Sequence, residues 1–149
     1  MDDSTNTTLE RRHTWQYNFV VRFLASPPPD VKPRYQNFLT QHVYPTMTEA
    51  KCTSEIRRRK ITDGNTNNCK EVNTFIKTNI KDIMPVCGGA TGRFTSGQPF
   101  TVVTCKLDSG ERRPRCDYGE KGHQSIRYIT IECDQGWPVH YQEDTVVVG

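Results

Sequence analysis

Two histidines and a lysine, His42, Lys70 and His140, sit far apart in this 149-residue chain, each in a context that suits proton transfer or charge neutralisation. Gln41 precedes His42, Lys70 lies within Cys69-Lys70-Glu71-Val72-Asn73-Thr74-Phe75, and His140 lies within Pro138-Val139-His140-Tyr141. An imidazole with a pKa of about 6.5 can begin a reaction neutral and take a proton, or begin protonated and give one. Two imidazoles can therefore act as base and acid together, while an ammonium beside them offsets charge building on a phosphoryl oxygen. Singly, each residue has a plainer explanation. A histidine on an apolar helix face is usually a satisfied core residue, and a lysine beside a cysteine is usually solvated. Their joint occurrence in this order, interleaved with six cysteines, carries the reading.

Those cysteines, at positions 52, 69, 87, 105, 116 and 133, include no Cys-x-x-Cys pair of the kind used by zinc or thioredoxin-like redox sites. An even number at wide spacing favours three disulfides and an oxidising compartment, although spacing leaves their pairing open. Covalent support suits a chain with 34% hydrophobic residues and negative mean hydropathy, which can build one domain around a modest core. Basic and acidic residues balance before Arg34, so the net charge of +3 resides in the remainder and suits a polyanionic ligand. No apolar run is long enough to span a membrane.

The elements that must position these residues begin after an appendage. Residues 1–33 read as an N-terminal extension that ends in the stiff break Pro27-Pro28-Pro29-Asp30. The alternation of Trp15, Tyr17, Phe19, Val21 and Phe23 has the period of a strand, with disorder or a degraded secretory signal as competing readings. The sequon Asn6-Thr7-Thr8 also lies there. The domain proper occupies residues 34–149. Tyr35, Phe38, Leu39, His42 and Val43 recur at helical spacing until Pro45 stops the pattern, which turns His42 toward the packed face. Thr46-x-x-Glu49 predicts a capping box for a second helix that carries Cys52 and Ile56 inward and ends in Arg57-Arg58-Arg59-Lys60. Residues 62–65 read as a loop, and a third short helix is expected around residues 79–87, bent or shortened by Pro85. Strands are expected over residues 72–75, 100–107 and 128–133. Helices early and strands late argue for an α+β fold with an antiparallel sheet.

Gln41-His42, Cys69-Lys70-x-x-Asn73-Thr74-Phe75 and Pro138-Val139-His140, with the interleaved cysteines, resemble the pancreatic-type ribonuclease superfamily, and the details lean to its angiogenin-like branch. The resemblance implies a ribonuclease A-like fold, with three helices packed on a bent antiparallel sheet and the pairings Cys52–Cys105, Cys69–Cys116 and Cys87–Cys133. It implies a secreted, monomeric endonuclease that cuts single-stranded RNA 3′ of pyrimidines through a 2′,3′-cyclic phosphate, without metal or other cofactor. His42 would be the base, His140 the acid, and Lys70 the stabiliser of the transition state. Gln41 would meet the scissile phosphate, while Thr74 would read the pyrimidine edge with Phe75 packing beneath it. Thr104 would tune pyrimidine choice and Asp134 would meet the second base. Tyr141, in place of a Phe or Leu, joins the substrate-binding set. The run 55–60 is similar to an angiogenin helix, which implies nuclear targeting or polyanion binding for Arg57, Arg58, Arg59 and Lys60.

The departures from that pattern predict weak turnover. Gln142 replaces an aspartate that orients the acid imidazole, and an amide cannot stabilise imidazolium by charge. The stretch between Cys87 and Cys105 is short and lacks a fourth disulfide, so residues 88–99 are not counted on to bind the second base. Glu143 stands where angiogenins carry a glutamine that blocks the pyrimidine site, and Val146, Val147 and Val148 could anchor the tail over it. His13 and His123 receive no role. Partners beyond RNA would be heparin-like polyanions, a cell-surface receptor or a cytosolic ribonuclease inhibitor. The rival expectation is a signalling or host-defence protein that binds a receptor, heparin or a bacterial surface and whose RNA cleavage is vestigial.

Overall fold

The computed structural model describes residues 26–64, 66–108, 115–119 and 122–143. The alternating segment 15–23, the sequon at Asn6, and Val146, Val147 and Val148 lie outside the described residues. Helix α1 (Lys32–His42) follows the buried Val31, has a proline in its first turn, and buries Phe38 and His42 one turn apart on the same face. It ends before Pro45 because the residue preceding a proline avoids helical backbone; Val43 is already extended and bridges Ile76 in parallel.

The second helix enters differently from the expectation. A 3-10 turn (Glu49–Lys51) runs into α2 (Cys52–Arg58), and no side chain caps either one. Thr46-x-x-Glu49 is therefore not a capping box. The Glu49 carboxylate instead accepts from the backbone N–H of Gln124 at 2.8 Å, and its carbonyl accepts from that of Gly122 at 2.9 Å. A strand edge has taken the acceptor that the helix would have used. Glycine is required at 122, since a Cβ there would lie 2.6 Å from Cys52 Sγ. Helix α3 (Ile80–Cys87) starts after Asn79 and closes on Gly88 in the left-handed conformation, with Pro85 in its last turn.

The strands form two three-stranded antiparallel sheets. One has the order β1 (Val72–Ile76), β3 (Phe100–Lys106), β4 (His123–Arg127), and the other β2 (Gly92–Thr95), β5 (Thr130–Asp134), β6 (Trp137–Tyr141). Strands β1, β3 and β5 fall where the sequence places them. In the β5–β6 hairpin Cys133 pairs with Pro138 while Glu132 pairs with His140, so Val139 is left over as a bulge. This brings His140 opposite Glu132 and Tyr141 opposite the buried Ile131.

The disulfides are Cys52–Cys105, Cys69–Cys116 and Cys87–Cys133, as the resemblance implied. The first ties α2 to β3 and the last ties α3 to β5. One core cluster packs Met47, Ile56, Phe75 and Val103 around the first two bridges; another packs Phe38, Ile76, Ile83, Val102, Ile131 and Tyr141 around the third. α1 closes over β6 and β1, which brings the segments containing His42, Thr74 and His140 together.

Candidate active site

His42 is the last residue of α1 and is only 4% exposed. Its ring lies between Phe38 and Tyr141, with centroids 5.4 and 5.1 Å away. Nδ1 lies 2.7 Å from the Thr74 carbonyl oxygen. A carbonyl can only accept, so Nδ1 carries the proton and Nε2 presents its lone pair. Burial, with the nearby Lys70 and His140 charges, pushes the imidazole down to about 3 despite the opposing Thr74 hydrogen bond. At neutral pH the ring is an uncharged proton acceptor.

Lys70 is held by side chains and backbone around it. Its Nζ donates to Asn73 Oδ1 at 2.8 Å and Gln41 Oε1 at 3.1 Å, while Asn73 Nδ2 donates to the Gln41 carbonyl at 2.8 Å. The Tyr118 hydroxyl donates to the Lys70 carbonyl at 2.6 Å, fixing the backbone beneath the ammonium. Burial lowers the proton affinity of Lys70, and the Glu143 carboxylate, 3.9 Å away, opposes that shift. Asn73, within the same motif, joins the Lys70 ammonium to the backbone at Gln41. Tyr118 gave no sequence signal, because its partner is a backbone atom distant in the chain.

The Thr74 side chain lies on the face of β1 opposite the fully buried Phe75. Thr74 Oγ1 lies 3.2 Å from Thr104 Oγ1 on the paired strand β3. Glu143 then closes the group: Oε1 accepts from the Thr74 hydroxyl at 2.6 Å and Oε2 from its N–H at 3.3 Å. Burial raises the Glu143 carboxyl above its ordinary range, although Thr74 and Lys70 pull it back. Phe75 supports this site from the core, and its buried ring is not placed to touch a ligand.

His140 is exposed at the rim on β6. Its charge acts on both His42 and Glu143, while the neighbouring Tyr141 is buried against His42. The Gln142 backbone N–H is held by the Thr130 carbonyl at 2.9 Å. Asp134 forms a surface ion pair: Arg34 donates to its carboxylate at 2.5 Å and keeps it below the usual carboxylate range. Thus His42, Lys70, Gln41, Thr74 and Thr104 come together, with His140 at their edge. The basic run lies apart. Arg57 donates to the Cys116 carbonyl at 3.2 Å, Arg58 pairs with Glu55 at 2.6 Å, and Lys60 is exposed, but Arg59 turns inward toward α1.

Among sequence families, Pancreatic ribonuclease matches residues 33–142. The chain belongs to that family. Within it, the chain is 44% identical to Ribonuclease-like 3 of Danio rerio over 128 residues, which cover 80% of this chain and 85% of that protein. It is 34% identical to Angiogenin-4 of Mus musculus over 138 residues, 86% of this chain and 91% of the other. The X-ray structure of zebrafish RNase5 superposes with a TM-score of 0.73 at 54% identity, covering 79% of this chain and 99% of that one. This ribonuclease therefore falls in the angiogenin-like branch, and its membership supports ribonuclease-type activity on RNA.

Proposed function

We propose that this ribonuclease is a secreted endoribonuclease that cuts single-stranded RNA on the 3′ side of pyrimidines. In the reaction, His42 Nε2 takes the proton of the 2′-hydroxyl as that oxygen attacks phosphorus. The P–O5′ bond breaks, His140 gives a proton to the departing oxygen, and a 2′,3′-cyclic phosphate remains. Lys70 offsets the charge on the phosphoryl oxygens, with Gln41 beside it at the phosphate. Thr74, with Thr104 behind its hydroxyl, reads the pyrimidine edge through one donor and one group that can donate or accept. The observation that carries this reading is the Thr74 carbonyl at His42 Nδ1, which leaves Nε2 as the base in a site it shares with Lys70.

Secretion is supported by the three disulfides, which persist in oxidising compartments. The ribonuclease domain begins near Val31, which the core buries just before α1, and not at residue 34; the residues before it form an extension, and the exposed Arg57, Arg58 and Lys60 serve polyanion binding or nuclear uptake. The deciding experiment is cleavage of tRNA and of pyrimidine dinucleotides by wild type, His42→Ala and His140→Ala. Each variant should lose about two to four orders of magnitude while remaining folded, and DNA should resist because it lacks the attacking hydroxyl. Full cleavage by either folded variant sinks the assignment. Glu143 on Thr74 favours a second reading, in which turnover is held low and binding to a receptor or polyanion is the main task. Wild-type rates on dinucleotides far below those of Glu143→Gly would support it.

A further inference from the structure

Arg59 belongs to a basic run, yet its guanidinium is spent inside the protein. The Arg58 side chain is 64% exposed and that of Arg59 only 15%. Arg59 Nη1 donates to the carbonyls of Thr40 at 2.9 Å and Val43 at 3.1 Å, with that of Leu39 at 3.5 Å, while Nε donates to Glu55 Oε1 at 3.1 Å. The guanidinium carbon lies 4.7 Å from the Tyr44 ring centroid and 5.5 Å from that of Phe75. The final carbonyls of an α-helix lack partners within it, and a cation there also meets the favourable end of the helix dipole. These carbonyls surround the end of α1, whose last residue is His42. The ring beneath belongs to Phe75, which follows Thr74, the residue whose carbonyl receives His42 Nδ1. One side chain therefore grips the helix end that carries the imidazole and packs on the strand that orients it.

We propose that Arg59 is a positioning residue for His42, fixing the last turn of α1 against β1 so that the imidazole stays seated on the Thr74 carbonyl. The inference rests on the reading of His42 as the base. Lysine cannot replace this arrangement, since a single ammonium does not reproduce the planar fork that reaches several carbonyls and stacks on an aromatic face. Arg59 donates to none of Thr74, Thr104 or Lys70, whereas Gln41 and His42 both lie in the turn it grips, so the defect belongs chiefly in kcat. A loosened helix end admits water to His42 and relieves the burial that keeps its proton affinity low.

The test measures kcat, KM and the pH dependence of kcat/KM on a pyrimidine dinucleotide for wild type, Arg59→Ala, Arg59→Lys, His42→Ala and the exposed-cation control Lys81→Ala, each checked for folding by circular dichroism. Arg59→Ala should lower kcat about ten- to a hundredfold with little change in KM, and its acid limb should move to higher pH. Arg59→Lys should fall between alanine and wild type, and it keeps the test decisive if the alanine variant does not fold. Lys81→Ala should match wild type. A folded Arg59 variant with wild-type kcat and acid limb, beside an inactive His42→Ala, overturns the inference and leaves Arg59 as a stabilising residue only. Full activity in folded His42→Ala overturns the base assignment first, and this inference with it.

Discussion

Glu143 accepts hydrogen bonds from both the hydroxyl and the backbone N–H of Thr74, so the groups that read a pyrimidine in the proposed reaction are already engaged by the chain itself. A ligand must displace that carboxylate before it can pair there. The displaced group also leaves Lys70, whose ammonium is 3.9 Å away and is aligned with the scissile phosphate in the proposed reaction.

Glu143→Gly should raise kcat/KM for cytidine-containing dinucleotides by about tenfold, chiefly through KM, because a site open only part of the time reduces apparent affinity by that fraction. A chain ending at Asp144 retains Glu143 and separates its effect from that of the valine tail. Steady-state kinetics on the three proteins decides between them. Equal rates throughout would remove the case for autoinhibition.

Tyr118→Phe deletes the hydrogen bond to the Lys70 carbonyl while keeping the buried ring. We expect kcat to fall about tenfold as the backbone beneath the ammonium loosens, with a stability loss of about 1 kcal/mol. Kinetics and thermal melting on the same preparation give both values; an unchanged kcat would show that Lys70 is held well enough by Asn73 and Gln41.

The depressed proton affinity of His42 makes stability depend on pH. Its folded pKa of about 3 lies below its unfolded value near 6.5, so the unfolded chain binds the extra proton between those limits. His42 therefore destabilises the fold as pH falls through that window. Glu143, whose proton affinity is raised by burial, acts in the opposite sense. Melting temperatures should fall more steeply between about pH 6 and about pH 4 in wild type than in His42→Asn. Parallel curves would contradict the buried neutral imidazole.

The exposed part of the basic run should act on polyanions. Replacing Arg57, Arg58 and Lys60 together with alanine should make the protein elute from heparin at lower salt, since each lost phosphate or sulfate contact reduces the salt dependence. Dinucleotide cleavage should change far less than in Arg59→Ala. Unaltered heparin retention would move the polyanion surface elsewhere.

The parts of the site that could be read from sequence share one short motif or lie beside a histidine: Gln41, His42, Lys70 and Thr74 converge as their spacing in the family pattern implied. Geometry that depends on partners distant in sequence was not legible. Tyr118 meets a carbonyl, Arg34 meets Asp134, and Arg59 meets the end of another helix; none of these leaves a pattern in its own neighbourhood. The missed strands have similar physical reasons. β4 reads His-Gln-Ser-Ile-Arg because it is an edge strand without a continuous apolar face, β2 opens on glycine, and β6 contains Pro138. Glu49 had the local chemistry of a helix cap and was claimed instead by β4.

The bulge at Val139 has a consequence for anyone redesigning this hairpin. Counted outward from the Asp134–Trp137 pair, a perfectly regular ladder would set His140 against Ile131, whose side chain belongs to the core, and Tyr141 against Thr130. The one residue out of step is what turns the imidazole to the rim and the phenol inward. An idealised hairpin could thus keep every amino acid, satisfy every strand rule and still turn the proposed acid away from the site, because its aim is encoded in an irregularity and not in a side chain.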